Sequence, residues 1–79
     1  MVVIKLWYLR ESESGLACQF MDASTSNKVQ HDWWLPVSQI YDPKKLPKEK
    51  GDDYPGWVMT IPEWLCEQKG LKKYIVTSP

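Results

Sequence analysis

The sequence predicts a mostly β (α+β) fold: a small antiparallel sheet or partly open barrel of four to five strands, with one short C-terminal helix. Three observations predict it. Runs rich in β-branched and aromatic residues recur between polar stretches that hold glycine or proline, the pattern of short strands. One segment, Pro62 to Gly70, carries both a helical start and a helical stop. The 79 residues suit a single domain, residues 1–79, and contain no internal repeat.

Val2 to Arg10 lacks Gly and Pro and forms the first strand. Its two faces, Ile4/Leu6/Tyr8 and Val3/Lys5/Trp7/Leu9, are both largely apolar, which places it centrally in the sheet. Glu11 to Gly15 is a turn ending on a glycine free to take positive φ. Leu16 to Met21 returns as the second arm of a hairpin, and Asp22 to Lys28 is a polar loop. The third strand covers Val29 to Leu35; Pro36 cannot donate to a ladder, so it ends the strand or lies on an edge. Pro36 to Ile40 makes a helical turn or a bend. Asp42 to Asp53, with two prolines, one glycine and eight charges, reads as a long, mobile surface loop.

Trp57 to Ile61 is the fourth strand. In the helix, about Pro62 to Lys69, Pro62 suits the first turn and Glu63 the positive end of the dipole. Gly70 followed by Leu71 forms the stop. Two turns are unstable alone, so Trp64 and Leu65, with Gln68, are expected to dock on the sheet. Lys72 to Pro79 adds a short fifth strand through Tyr74 and Val76, or frays as a tail. The nearest common architectures are oligonucleotide-binding and SH3-like barrels.

Composition narrows the function. Ten Lys plus Arg balance ten Asp plus Glu, which argues against bulk electrostatic binding of nucleic acid. The longest wholly apolar run, Trp33 to Val37, is far short of the ~20 residues needed to span a bilayer, and no N-terminal stretch reads as a signal peptide. The expectation is a cytoplasmic protein with no membrane partner. Cys18 and Cys66 read as two buried thiols rather than a disulfide in that compartment. A single histidine and no C-x-x-C pair speak against zinc, and no cofactor is expected.

Catalytic equipment is also sparse. His31 and Asp32 are strand neighbours and point to opposite faces, so they make no triad with Ser24, Ser26 or Ser38. The paired carboxylates, Asp52-Asp53 and Glu11 with Glu13, lie in solvated segments that do not shift pKa values. No phosphate loop, dinucleotide fingerprint or metalloprotease helix is present. The chain is expected not to be an enzyme.

Aromatics are abundant, at 13% of residues. A small core uses many of them, since each buries about 150–250 Å². Trp33 and Trp34 are consecutive on a strand, however, so one must face away from the core. Trp33 shares its face with His31, so Trp33 is expected outward and Trp34 inward. Exposed Trp and Tyr anchor protein interfaces and also stack on single-stranded bases. The loop lysines are cancelled by neighbouring acids, whereas Lys69, Lys72 and Lys73 form an uncancelled cluster beside the helix end. Candidate partner-binding residues are therefore Trp33, Trp34, Tyr41, Tyr54, Lys69, Lys72 and Lys73.

Two segments, Trp34-Leu35-Pro36-Val37-Ser38-Gln39-Ile40 and Val58 to Leu71, resemble the paired WLP-x-SQI and V-x-I-P-x-WL-x-x-x-KGL segments of small uncharacterised phage and prophage proteins. The likeness covers about half the chain. It implies origin on a mobile element and a role in phage DNA metabolism or in blunting host defence, and it brings no catalytic residues. The expected function is a non-catalytic phage-type protein that docks on a host-defence or DNA-processing protein, as an anti-CRISPR-like inhibitor would. The alternative is a single-stranded nucleic-acid-binding module of the oligonucleotide-barrel type.

Overall fold

Ten residues without glycine or proline make β1, Val2–Glu11, and the rest of the sheet assembles around it. The computed structural model describes residues 1–77; Ser78 and Pro79, the end of the predicted tail, lie outside the described residues. The other strands are β2 (Ala17–Met21), β3 (Asp32–Pro36), β4 (Tyr41–Lys45), β5 (Gly56–Ile61) and β6 (Ile75–Thr77). All described pairings are antiparallel, in the order β3-β2-β1-β5-β4, with β6 also on β1. One edge of β1 pairs Val2 to Trp7 with β5. The other edge is shared: β2 takes Trp7 to Glu11, and β6 takes Val3 and Ile4. The sheet is open: among the described residues β3 and β4, at the two ends of the order, do not pair with each other.

Alternation along these strands builds one apolar face. Ile4, Leu6, Phe20, Leu35, Met59 and Ile61 are fully buried there. At its centre Tyr8 stacks on Trp57, with centroids 4.6 Å apart, and Phe20 meets both rings edge-on. Helix α1, Glu63–Lys69, closes over this face through Leu65 and Cys66. Its end is a Schellman stop. Gly70 is left-handed at φ 69°, its N–H bonds the Glu67 carbonyl, and the Leu71 N–H reaches back to Cys66. Leu71 is fully buried beneath that turn.

Three expectations change. The helix face is rotated by one residue: Leu65 and Cys66 point inward, and Trp64 is 56% exposed. The expected face of Trp64, Leu65 and Gln68 is thus off by about 100°, one residue's turn, and Gln68 is exposed; the chain enters through Pro62 as N-cap rather than as the first helical residue. The predicted loop from Asp42 begins as part of edge strand β4. Pro43 and the left-handed Asp42 (φ 50°) hid it, but an edge strand tolerates a proline and the register shifts between Tyr41 and Lys44. The third strand starts at Asp32, opposite Met21 where β2 ends, and Ser26–Lys28 winds into a 3-10 turn. Pro36 does end it, and a second 3-10 turn, Val37–Gln39, follows.

The rest of the predicted loop is tied down. Asp53 and Tyr54 N–H groups both donate to the Ser24 carbonyl, and the Asp53 carboxylate accepts from Ser26 N–H (2.8 Å) and Ser26 Oγ (3.1 Å). Leu46 N–H donates to Gly56 O at the loop's base.

Leu65→Ala should cost about 2–5 kcal/mol and lower Tm by roughly 10 °C or more, whereas Trp64→Ala should change stability by about 0.5 kcal/mol or less. Thermal melts of the two variants decide this, and equal losses would contradict the helix orientation. The Asp53–Ser26 bonds give a second expectation. The Ser26 amide and then its hydroxyl, as donors, hold the Asp53 carboxyl below the ordinary aspartate range. A depressed carboxyl keeps its contribution above its unfolded value and loses it as pH falls through the lower folded one. Titration of the Ser26 amide by NMR should therefore show a midpoint below that of a free aspartate; an ordinary midpoint would mean the bonds are absent in solution.

Candidate functional site

The strand β3 places the two consecutive tryptophans on different surfaces. In the pairing of β3 with β2, Trp33 lies opposite Phe20 and Trp34 opposite Gln19. Phe20 belongs to the core, so Trp33 is the inward residue; it is half-buried and edge-on to Tyr74 at 5.3 Å. Trp34 is 39% exposed on the other face. The expectation of Trp34 inward and Trp33 outward is thus reversed. Leu35, fully buried, shares Trp33's face and outweighs His31, which stays exposed at the strand's start.

On the outer face a short polar chain lies beside Trp34. The register between β1 and β2 shifts after Tyr8, so Leu9 is an extra residue and Arg10 is brought opposite Gln19. Arg10 Nε then donates to Gln19 Oε1 at 2.9 Å, and Gln19 Nε2 donates to Asp32 Oδ2 at 2.6 Å. The Arg10 guanidinium lies 5.9 Å from the Trp34 ring. Gln19 is buried with both ends of its amide satisfied, which makes it a rigid bracket for its neighbours. Arg10, Gln19 and Asp32 were missed as site residues. A glutamine set between Cys18 and Phe20 in an apolar strand was the signal for the bracket, but nothing in the sequence marks the shift that aims Arg10.

The second surface is a cleft of about 380 Å³ between the start of β3 and the end of α1. Gln30, His31, Trp33, Lys69 and Lys73 line it. It exists because β6 sits beside β1 below β2, which brings the 3-10 turn Lys72–Tyr74 against Trp33. The entry to β3 is fixed by Asp22, whose Oδ1 accepts from Gln30 N–H and whose own N–H donates to His31 O. Two of the three clustered lysines face this cleft. Lys72 instead pairs with Glu67 at 3.6 Å, with both side chains largely exposed.

The remaining candidates stand apart. Tyr41 is 44% exposed on edge strand β4, opposite Thr60, and Tyr54 is half-buried at the end of the tied loop. The structure does not bring either into the Trp34 surface or the cleft. Cys18 and Cys66 are both free and buried, and burial pushes both thiols above their usual range, which makes them poor nucleophiles. Among the described residues no group of three His, Cys, Asp or Glu side chains is placed to hold a metal, and no helix is long and apolar enough to cross a membrane. No family model, curated protein or solved structure matches the chain.

The reversal gives a direct expectation. Trp33→Ala should destabilise the domain by about 2 kcal/mol or more, because it removes an aromatic packed on the core, and Trp34→Ala should cost less. Chemical denaturation of the pair decides it; greater loss in Trp34→Ala would restore the opposite face assignment.

Proposed function

We propose that this chain is a non-catalytic binding protein of phage or mobile-element origin, acting in the cytoplasm of a bacterial host by docking on a host-defence or DNA-processing protein. One observation carries the reading: Trp34 is exposed beside the Arg10 guanidinium, which Gln19 and Asp32 fix through a hydrogen-bonded chain. Tryptophan and arginine are the residues enriched among interface hot spots, and a side chain already held in place loses less entropy on binding. The resemblance to phage proteins supports the origin, and its first segment begins at Trp34. An anti-CRISPR-like inhibitor is one form this role takes.

A second reading, a single-stranded nucleic-acid-binding module in phage DNA metabolism, is favoured by the cleft that brings Trp33 together with Lys69 and Lys73.

Affinity capture from host lysate tests the first reading. A protein retained by the wild type should be lost with Trp34→Ala, whose Tm stays within about 5 °C. With the partner purified, Trp34→Ala should weaken binding by at least ~2 kcal/mol. Undiminished retention by a folded Trp34→Ala protein would sink the assignment of that surface.

A further inference from the structure

The cleft between β3 and the helix end has a chemistry of its own. Its wall is aromatic: His31 and Trp33 have centroids 6.2 Å apart, and Trp33 is backed by Tyr74, whose ring meets it edge-on at 5.3 Å. Its rim is cationic. Among the described residues the ion pair present is Lys72–Glu67, so Lys69 and Lys73 are uncompensated by any carboxylate within 4.0 Å. Lys73 is steadied by its own neighbour, with Nζ 5.3 Å from the Tyr74 centroid. Asp32 also borders the cleft, but its Oδ2 accepts from Gln19 on the opposite face of the sheet. The groups that face a ligand are a partly exposed indole, an imidazole, the Gln30 amide and two ammonium groups, which outnumber the single Asp32 carboxylate at the border.

Those groups match a nucleotide unit. Stacking on an indole suits any base, and paired lysines suit the phosphates that flank it. A side-chain amide beside the platform can offer both a donor and an acceptor to a base edge. The volume falls in the range of a small-ligand site, and the cleft opens to solvent, so a chain can run through it. A protein surface would find little apolar area here, because the rim is polar and charged.

We propose that this cleft binds a segment of single-stranded nucleic acid, with one base on Trp33 and the adjacent phosphates at Lys69 and Lys73. The proposal rests on the second functional reading and assigns its site; it is independent of the Trp34 surface, which lies on the other face of β3.

Fluorescence anisotropy of a labelled oligothymidylate tests it. Two phosphate contacts predict a log–log salt slope of about −1.4, so binding should weaken about sevenfold between ~50 and ~200 mM salt. A Lys69→Gln/Lys73→Gln double variant should bind at least tenfold more weakly, with a nearly flat salt dependence and an unchanged Tm. Lys44→Gln, on edge strand β4 away from the cleft, should bind as the wild type does. In NMR titration the Trp33 indole N–H signal should move and that of Trp34 should not, which locates the site without a variant of Trp33. Binding undiminished in a folded double variant would overturn the site while leaving the nucleic-acid reading standing. No binding at the lower salt concentration would overturn both.

Discussion

β1 runs for ten residues without a break, and both of its edges are in use. That one strand pairs with β2, β5 and β6, so the positions of the other elements follow from its register. Its inward residues Ile4, Leu6 and Tyr8 set the apolar face on which Phe20, Leu35, Trp57 and α1 are laid. Its register shift after Tyr8 turns Arg10 to the outer face and makes the bracket beneath Trp34. Because β2 occupies only the far half of its second edge, room remains for β6, and the cleft forms where β6's leading turn meets β3. Core, exposed tryptophan and cleft are consequences of how one long strand is shared.

Much of this was legible in the sequence. The uninterrupted Val2–Arg10 run, the polar turn to Gly15 and the Pro62…Gly70-Leu71 helix signals each depend on local chemistry, and local chemistry is what a sequence displays. The errors lie where tertiary contacts choose between locally equal options. Trp33 and Trp34 had to face opposite ways, but which faced in was decided by pairing Phe20 with Trp33 across to β2. Trp64 and Cys66 both flank Leu65 on the helix, and the approach angle of α1 buried the cysteine. Strand β4 was concealed because proline and charge, common in loops, are also how natural edge strands resist further pairing.

The candidate residues divided the same way. Lys69, Lys72 and Lys73 were visible as a cluster, yet only contact with Trp33 gives two of them a shared cleft, and Glu67 takes the third. Tyr41 and Tyr54, chosen for their flanking positions, are separated by the fold from both surfaces. Strand alternation gives consecutive tryptophans different surroundings: Trp33 backs a polar cleft, and Trp34 is exposed on the other face beside Arg10. The two surfaces lie on opposite sides of one edge strand.

The face assignment of the tryptophans underlies the whole account, and it is open to direct measurement. Incorporation of 5-fluorotryptophan, with fluorine relaxation measured as a soluble paramagnetic agent is added, ranks the five indoles by exposure. The account predicts the strongest effect at Trp64 and Trp34, a weaker one at Trp33 and the weakest at Trp57. Stronger relaxation at Trp33 than at Trp34 would contradict it.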